Sequence, residues 1–232
     1  YYMLHIDHLI EEALREDIGS GDHSTLSCIP KEAKGKALLK IKQDGILAGM
    51  EVAEIIFRKM EKDCHFFPYK KDGDKMTNGE IAFEVSAHVH TILSCERLVL
   101  NCMQRMSGIA TLTREYTAIL EGYHTKILDT RKTTPNFRIL EKEGVRIGGA
   151  VNHRFGLYDM IMLKDNHIDY AGGIEQAGNR AHQYVISSGL PLKIEVETRT
   201  LADVRTVTQI GEGKVFRVML DNFSPAQLKE AL

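Results

Sequence analysis

The sequence predicts an α/β protein in two parts, and three observations carry that prediction. Ahead of Ile92, short strand-like runs alternate with helical stretches and polar turns. From Ile92 to Ile109 a single apolar stripe runs at helical spacing. After Gly122 the chain repeats strand, polar loop and helix. With 232 residues, 43% hydrophobic and 27% charged content, there is material for one large globular domain or two modest ones.

In the first part, Ile6, Leu9, Ile10 and Leu14 recur at helical spacing and predict an amphipathic helix that the Gly19-Ser20-Gly21-Asp22 turn ends. Strands are expected over 37–41, 45–48 and 80–89, with a helix over 50–60 and a polar turn over 70–79, which makes a small α+β layer. Ile92, Cys95, Val99, Cys102, Met106 and Ile109 then define one long buried helical face. The two parts are expected to be hinged on that helix, as domains 1–98 and 99–232. Arg97, Asn101, Gln104 and Arg105 occupy its polar side, which reads either as a solvated face or as a functional one.

In the second part, strands are expected over 126–128, 159–163, 192–196 and 215–220, with crossover helices over 173–187 and 200–210, so the strands should be parallel. Each strand ends in charge: Asp129-Thr130-Arg131-Lys132, Lys164-Asp165-Asn166-His167, Glu195-Val196-Glu197 and Asp221-Asn222. Carboxyl ends of parallel strands share one rim, where ligands bind, so these clusters are expected to face one another. Four such units do not close a barrel of eight, and the chain is read either as an open sheet or as a barrel cut short.

Composition excludes several classes. A net charge of −2 without a basic block argues against nonspecific nucleic-acid or membrane-surface binding. No apolar run approaches the ~18 residues of a membrane span, and residues 1–10 lack the form of a signal peptide, so a cytoplasmic location is expected. The sequence opens on Tyr1 rather than Met, and its start is expected to be processed, tagged or incomplete. Cys28, Cys64, Cys95 and Cys102 form no C-x-x-C pair and are expected to be buried free thiols. Dinucleotide, Walker-type and nucleophile-elbow signatures are absent.

Arg131, Lys132, Arg138, His153, Arg154 and Lys164 concentrate positive charge in a slightly acidic chain, and a compact polyanion is the natural occupant. Arginine forks suit carboxylate or phosphate, and a planar diacid would need more than one of them for orientation. Glu197 and Asp221 end neighbouring strands and could share a magnesium ion, or they could cap the next helices. Lys164 could also serve as a Schiff-base lysine.

Four sets of residues carry a resemblance. They are Glu16 to Thr25, Glu96-Arg97 to Thr111, Asp129-Thr130-Arg131-Lys132-Thr133-Thr134-Pro135 with Gly148-Gly149 to His153-Arg154, and Leu163-Lys164-Asp165-Asn166-His167 with Glu195-Val196-Glu197 and Leu220-Asp221-Asn222. In this order they resemble the signatures of quinolinate phosphoribosyltransferases, the carboxylating nicotinate-nucleotide pyrophosphorylases of NAD biosynthesis.

The resemblance implies an N-terminal α+β sandwich domain followed by an incomplete parallel α/β barrel. It implies a homodimer, or a larger assembly, with shared active sites. Arg131, His153, Arg154 and Lys164 would hold the quinolinate carboxylates, Lys132 would lie beside the reacting centre or the ribose phosphates, and Thr130 would line the pocket. Arg97 would enter from the partner subunit, and Glu197 and Asp221 would face the ribose or magnesium side of phosphoribosyl pyrophosphate. It further leads to the expectation that the natural chain continues past Leu232 through a serine-glycine-glycine segment and a glycine-rich loop for the 5'-phosphate.

Overall fold

The computed structural model describes residues 2–211 and 213–232. The chain divides into two compact units, one running through His153 and the other from Arg154 to Leu232.

The first unit opens with α1 (Tyr2–Ile18), whose expected stripe is buried at Ile6, Ile10 and Leu14. Asp22 then accepts the Thr25 N–H at 3.1 Å and caps α2 (His23–Cys28). The sequence reading had only the turn here, because a six-residue helix shows no periodicity. Next come β1 (Lys34–Lys40), β2 (Gly45–Ile46), α3 (Met50–Met60), β3 (His65–Pro68), β4 (Lys75–Met76) and β5 (Ile81–His88). The antiparallel order β1-β5-β3 puts β5 at the centre, and its Ala82, Phe83, Val85 and Ala87 are buried. The Phe83 ring meets Phe66 of β3 at 4.6 Å and Phe57 of α3, edge-on, at 6.1 Å. β3 was not expected, since its paired phenylalanines break the alternation that marks a strand.

α4 (Val89–Ile119) is continuous over 31 residues and buries Cys95, Val99, Cys102, Met103, Met106 and Ala110. Residues 98 and 99 therefore lie inside one helix. Burial raises the thiol pKa of Cys95 to about 12 and of Cys102 to about 11, so both are inert apolar filling. All four cysteines are free, but Cys28 is exposed at the end of α2, which corrects the expectation that all would be buried.

α5 (Arg138–Ile147) packs on α4, and glycines let the backbones approach. A Cβ at Gly148 would stand 2.5 Å from Thr113 Cβ and 2.7 Å from the Ala110 carbonyl oxygen. Gly149 follows at φ +100°, in left-handed backbone. The expected strand over 126–128 is reduced to one parallel bridge, Leu128 to Val151.

In the second unit β6 (Ile161–Leu163), β7 (Ile194–Thr198) and β8 (Arg217–Leu220) form a parallel sheet in that order. α6 (Asp165–Ala171), α7 (Ile174–Ser188), α8 (Leu201–Gln209) and α9 (Pro225–Ala231) connect and follow the strands. Leu163, Ile168, Ile174, Ala177, Ile194, Val196, Val207 and Ile210 form one apolar core. None of the described helices is long and apolar enough to cross a membrane.

Gly148→Val should destabilise the protein by about 1–3 kcal/mol through overpacking against α4. Urea denaturation followed by circular dichroism measures this, and an unchanged midpoint would show that α5 has room to move.

Candidate active site

In the first unit the expected site residues gather around a buried carboxylate. Asp129 accepts from the Lys142 ammonium, from the His153 backbone N–H at 2.7 Å and from Asn152 Nδ2 at 2.7 Å. Both side chains of the Asp129–Lys142 pair are nearly inaccessible, at 7% and 5%. Lys142 also donates to the His153 carbonyl at 3.1 Å. This knot ties the segment carrying Thr130, Arg131 and Lys132 to the segment carrying His153. The Asp129 N–H to Val151 carbonyl bond, at 3.2 Å, joins the same two segments through the backbone.

The loop between Asp129 and Thr134 is held from inside and from its far end. Thr130 Oγ1 accepts the Lys132 N–H at 3.0 Å, and the Thr133 N–H reaches the Arg131 carbonyl at 2.9 Å. Arg138, which the charge count places with the anion-binding set, instead donates to Thr133 Oγ1 at 2.9 Å and to the Arg131 carbonyl at 3.4 Å. Glu141 accepts from the Thr134 N–H at 3.0 Å, from Thr134 Oγ1 at 2.8 Å, and from Arg105 Nη2 of α4 at 2.7 Å. Burial pushes the Glu141 carboxyl up. The Arg105 and Thr134 hydrogen bonds outweigh it, so its pKa lies below the ordinary glutamate value.

Against these satisfied groups, the side chains of Arg131 and Lys132 form no ion pair among the described residues, and Arg131 Nε is buried with no hydrogen-bond partner. A buried guanidinium nitrogen without an acceptor is costly unless a ligand supplies one. Arg97 is exposed on α4 and likewise unpaired, and no bond links it to the Asp129 knot.

In the second unit parity decides what meets what. Ile194 and Val196 face the helices, so Glu195 and Glu197 take the opposite face. Glu195 is opposite Arg217 and receives its Nη1 at 3.0 Å. Glu197 is opposite Met219, two residues before Asp221, whose N–H bonds the Thr198 carbonyl at 3.0 Å. Leu163 pairs with Val196, so Lys164, the next residue, stands level with Glu197. Lys164 and Asp221 thus directly follow β6 and β8, at the carboxyl ends of the two strands that flank β7 and its Glu197. Lys164 is also the N-cap of α6, and its N–H donates to His167 Nδ1 at 3.1 Å. Arg154 is 8% exposed and donates to the Met160 carbonyl at 3.3 Å, which fixes it on the loop leading to β6.

Comparison with known proteins decides the family. Residues 22–107 match the quinolinate phosphoribosyl transferase N-terminal domain and residues 109–232 its C-terminal domain.

The chain belongs to the quinolinate phosphoribosyl transferase family.

Among relatives, the protein is 43% identical over 219 residues to quinolinate phosphoribosyltransferase [decarboxylating] 1b of Nicotiana tabacum, covering 92% of this chain and 62% of that one. It is 42% identical over 222 residues to the probable nicotinate-nucleotide pyrophosphorylase [carboxylating] of Bacillus subtilis, covering 96% and 74%. The crystal structure of NadC from Streptococcus pyogenes superposes with a TM-score of 0.89 at 40% identity, covering 97% of this chain and 78% of that one. That of the nicotinate-nucleotide pyrophosphorylase from Francisella tularensis gives 0.87 at 34%, covering 98% and 78%. The chain thus spans about three fifths of the length of the tobacco relative.

The sequence marks Asp129 in a strand-end cluster and Arg105 on the polar face of the long helix but not their bracing roles, and it gives Glu141 and Lys142 no place in the site. The available signal was a charged pair, Glu141-Lys142, set directly after the apolar Ile139-Leu140. The depressed Glu141 carboxyl contributes stability above the ordinary carboxylate range, and that contribution is lost as pH falls through its folded value. Glu141→Gln should therefore lower stability near neutral pH, and the gap to wild type should close as pH drops below about 4. Urea midpoints measured from pH 7 to pH 3 check this, and a gap independent of pH would assign the loss to packing.

Proposed function

We propose that the protein transfers a phosphoribosyl group from phosphoribosyl pyrophosphate to quinolinate with decarboxylation, giving nicotinate mononucleotide, pyrophosphate and CO2 in NAD biosynthesis. Membership of the family supports this reading. The single structural observation that carries it is Arg131, unpaired among the described residues with its Nε buried and lacking an acceptor, beside Lys132, which is likewise unpaired among them. Cations held this way suit a compact dianion, and a monoacid would leave charge unmatched.

In this reading Arg131, His153, Arg154 and Lys164 hold the two carboxylates of quinolinate, Thr130 lines the pocket, and Lys132 lies beside the reacting centre. The pyridine nitrogen attacks the anomeric carbon as the C–O bond to pyrophosphate breaks. Glu197 and Asp221 stabilise the positive charge that develops on the ribose. The ribosylated nitrogen is then a pyridinium, which accepts the electron pair left at C2 when CO2 departs, and C2 takes up a proton. No further cofactor is needed for that step, and the cations serve mainly to orient the ring and retain the 3-carboxylate.

Two carboxylates on neighbouring strands, Glu197 and Asp221, are the candidate magnesium ligands. Among the described residues no cluster of three or more His, Cys, Asp or Glu side chains could hold a metal. A two-carboxylate set nonetheless fits an ion that keeps waters and substrate phosphate oxygens as its other ligands. When bound, magnesium would neutralise the pyrophosphate leaving group.

The proposal extends to a cytoplasmic homodimer built on an incomplete barrel, with Arg97 of each protomer entering the neighbour's quinolinate pocket. Arg97 is exposed on a long helix and has no partner among the described residues, which suits such a role.

Incubation with quinolinate, phosphoribosyl pyrophosphate and magnesium should yield nicotinate mononucleotide and stoichiometric CO2. A protein of wild-type fold that forms neither would sink the assignment. Arg131→Ala should raise the quinolinate KM and lower turnover, with a loss of about 1.5–3 kcal/mol in apparent transition-state binding. Calorimetry showing unchanged quinolinate affinity would remove Arg131 from the pocket.

Mixed Arg97→Ala and Arg131→Ala protomers should regain activity, because one of the two sites in each heterodimer receives both arginines. Confirmed heterodimers without activity would place Arg97 in its own subunit's site or outside catalysis.

A further inference from the structure

Two neighbouring residues of α5 carry opposite charges and are both buried, Glu141 at 6% and Lys142 at 4% exposure. Core-facing helix positions ordinarily hold neither. A pair of apolar side chains would fill the same space without removing two ions from water, so packing α5 against its surroundings does not call for them.

Each of the two is committed to one end of the same loop. Lys142 binds Asp129 at the loop's start and the His153 carbonyl beside it. Glu141 takes both the N–H and the hydroxyl of Thr134 at the loop's end, and Arg105 anchors it to α4. Between the two clamps lie Thr130, Arg131, Lys132 and Thr133. Here the pattern inverts: the clamps are bonded to their partners, while among the described residues the Arg131 and Lys132 side chains have none and Arg131 Nε is held in a buried position without an acceptor.

We propose that Glu141 and Lys142 are positioning residues, which act through the Asp129–Thr134 loop to set where Arg131 and Lys132 present their charges to the anionic substrate. This rests on the reading that these two cations meet quinolinate. A loop of six residues offers few internal bonds to hold a long side chain in register. Misplacement of a binding group by about 1 Å can cost on the order of a hundredfold in rate, so the clamps have a consequence for chemistry beyond folding.

The test uses one chain carrying both Lys142→Met and Asp129→Asn, which removes the pair without leaving a lone buried ion. Hydrogen exchange at the Lys132, Thr133 and His153 amides should quicken about tenfold, a local opening, while α4 and β5 keep wild-type protection. Quinolinate kcat/KM should fall about tenfold or more. Adding Arg131→Ala to the same chain should cost much less than it costs in wild type, because the two changes act through one loop.

Unchanged exchange in the loop would overturn the proposal, as would a faster loop with wild-type kcat/KM, or effects of the clamp and of Arg131→Ala that simply add. If the double variant does not fold, Glu141→Gln, which keeps the size and one acceptor for Thr134, puts the same readouts to the other clamp. Wild-type protein that makes no nicotinate mononucleotide defeats the functional reading on its own, and the exchange data then still decide whether the clamp exists.

Discussion

A carboxylate removed from water has to be met by charge and by hydrogen bonds on nearly every lone pair, and Asp129 imposes that demand on the first unit. Its partners are an ammonium from α5, a backbone N–H of His153 and the amide of Asn152. None of the three lies in its own loop, so satisfying one buried group ties together a helix and two separate segments. Burying such a pair gives little net stability compared with apolar filling. What it gives is a defined geometry, because the ion pair tolerates few arrangements of its partners.

The same constraint sorts the cations of the first unit into two kinds. Lys142, Arg105 and Arg138 are neutralised or hydrogen-bonded within the chain and act as framework. Arg131, Lys132 and Arg97 remain unpaired among the described residues. Charge count cannot make this distinction, since a paired arginine and a waiting one are the same letter. It was on that count that Arg138 was grouped with the anion-binding residues, whereas its guanidinium braces the loop that carries Arg131.

In the second unit the sorting is done by sheet parity. Helices cover one face, so Ile194 and Val196 face an apolar core while Glu195 and Glu197 take the other face. Glu195, nearer the amino end, is met by Arg217. Glu197 and Asp221, at the carboxyl edge, are not neutralised by any arginine or lysine of the described residues, and Lys164 is level with Glu197. Apolar residues thus face the helices, the Glu195–Arg217 pair takes the other face, and the charged residues Lys164, Glu197 and Asp221 stand at the carboxyl edge, where parallel sheets with helical crossovers generally bind ligands.

The elements with strong periodicity were readable in the sequence: α1, α3 over Met50–Met60, the buried stripe of α4, and the parallel strands with their charged ends. These signals are local, repeating every two or about 3.6 residues, and need no knowledge of the remainder of the chain. The family resemblance was legible for the same reason, being carried by short contiguous strings. β3 and α5 were not legible. His65-Phe66-Phe67-Pro68 is a strand because β5 offers it an edge, and α5 follows a turn at Pro135 and Asn136 and buries two charges where a core face should be apolar. Nor could the sequence show why Gly148 is a glycine, which depends on how closely α4 approaches. Letters and spacing were enough to name Arg131, Lys132, Lys164, Glu197 and Asp221 as candidates. Which cations are held and which are free was decided only by tertiary structure, because a charge is satisfied by whatever lies next to it in space, and for Asp129 and Lys142 that neighbour is 13 residues away in the chain.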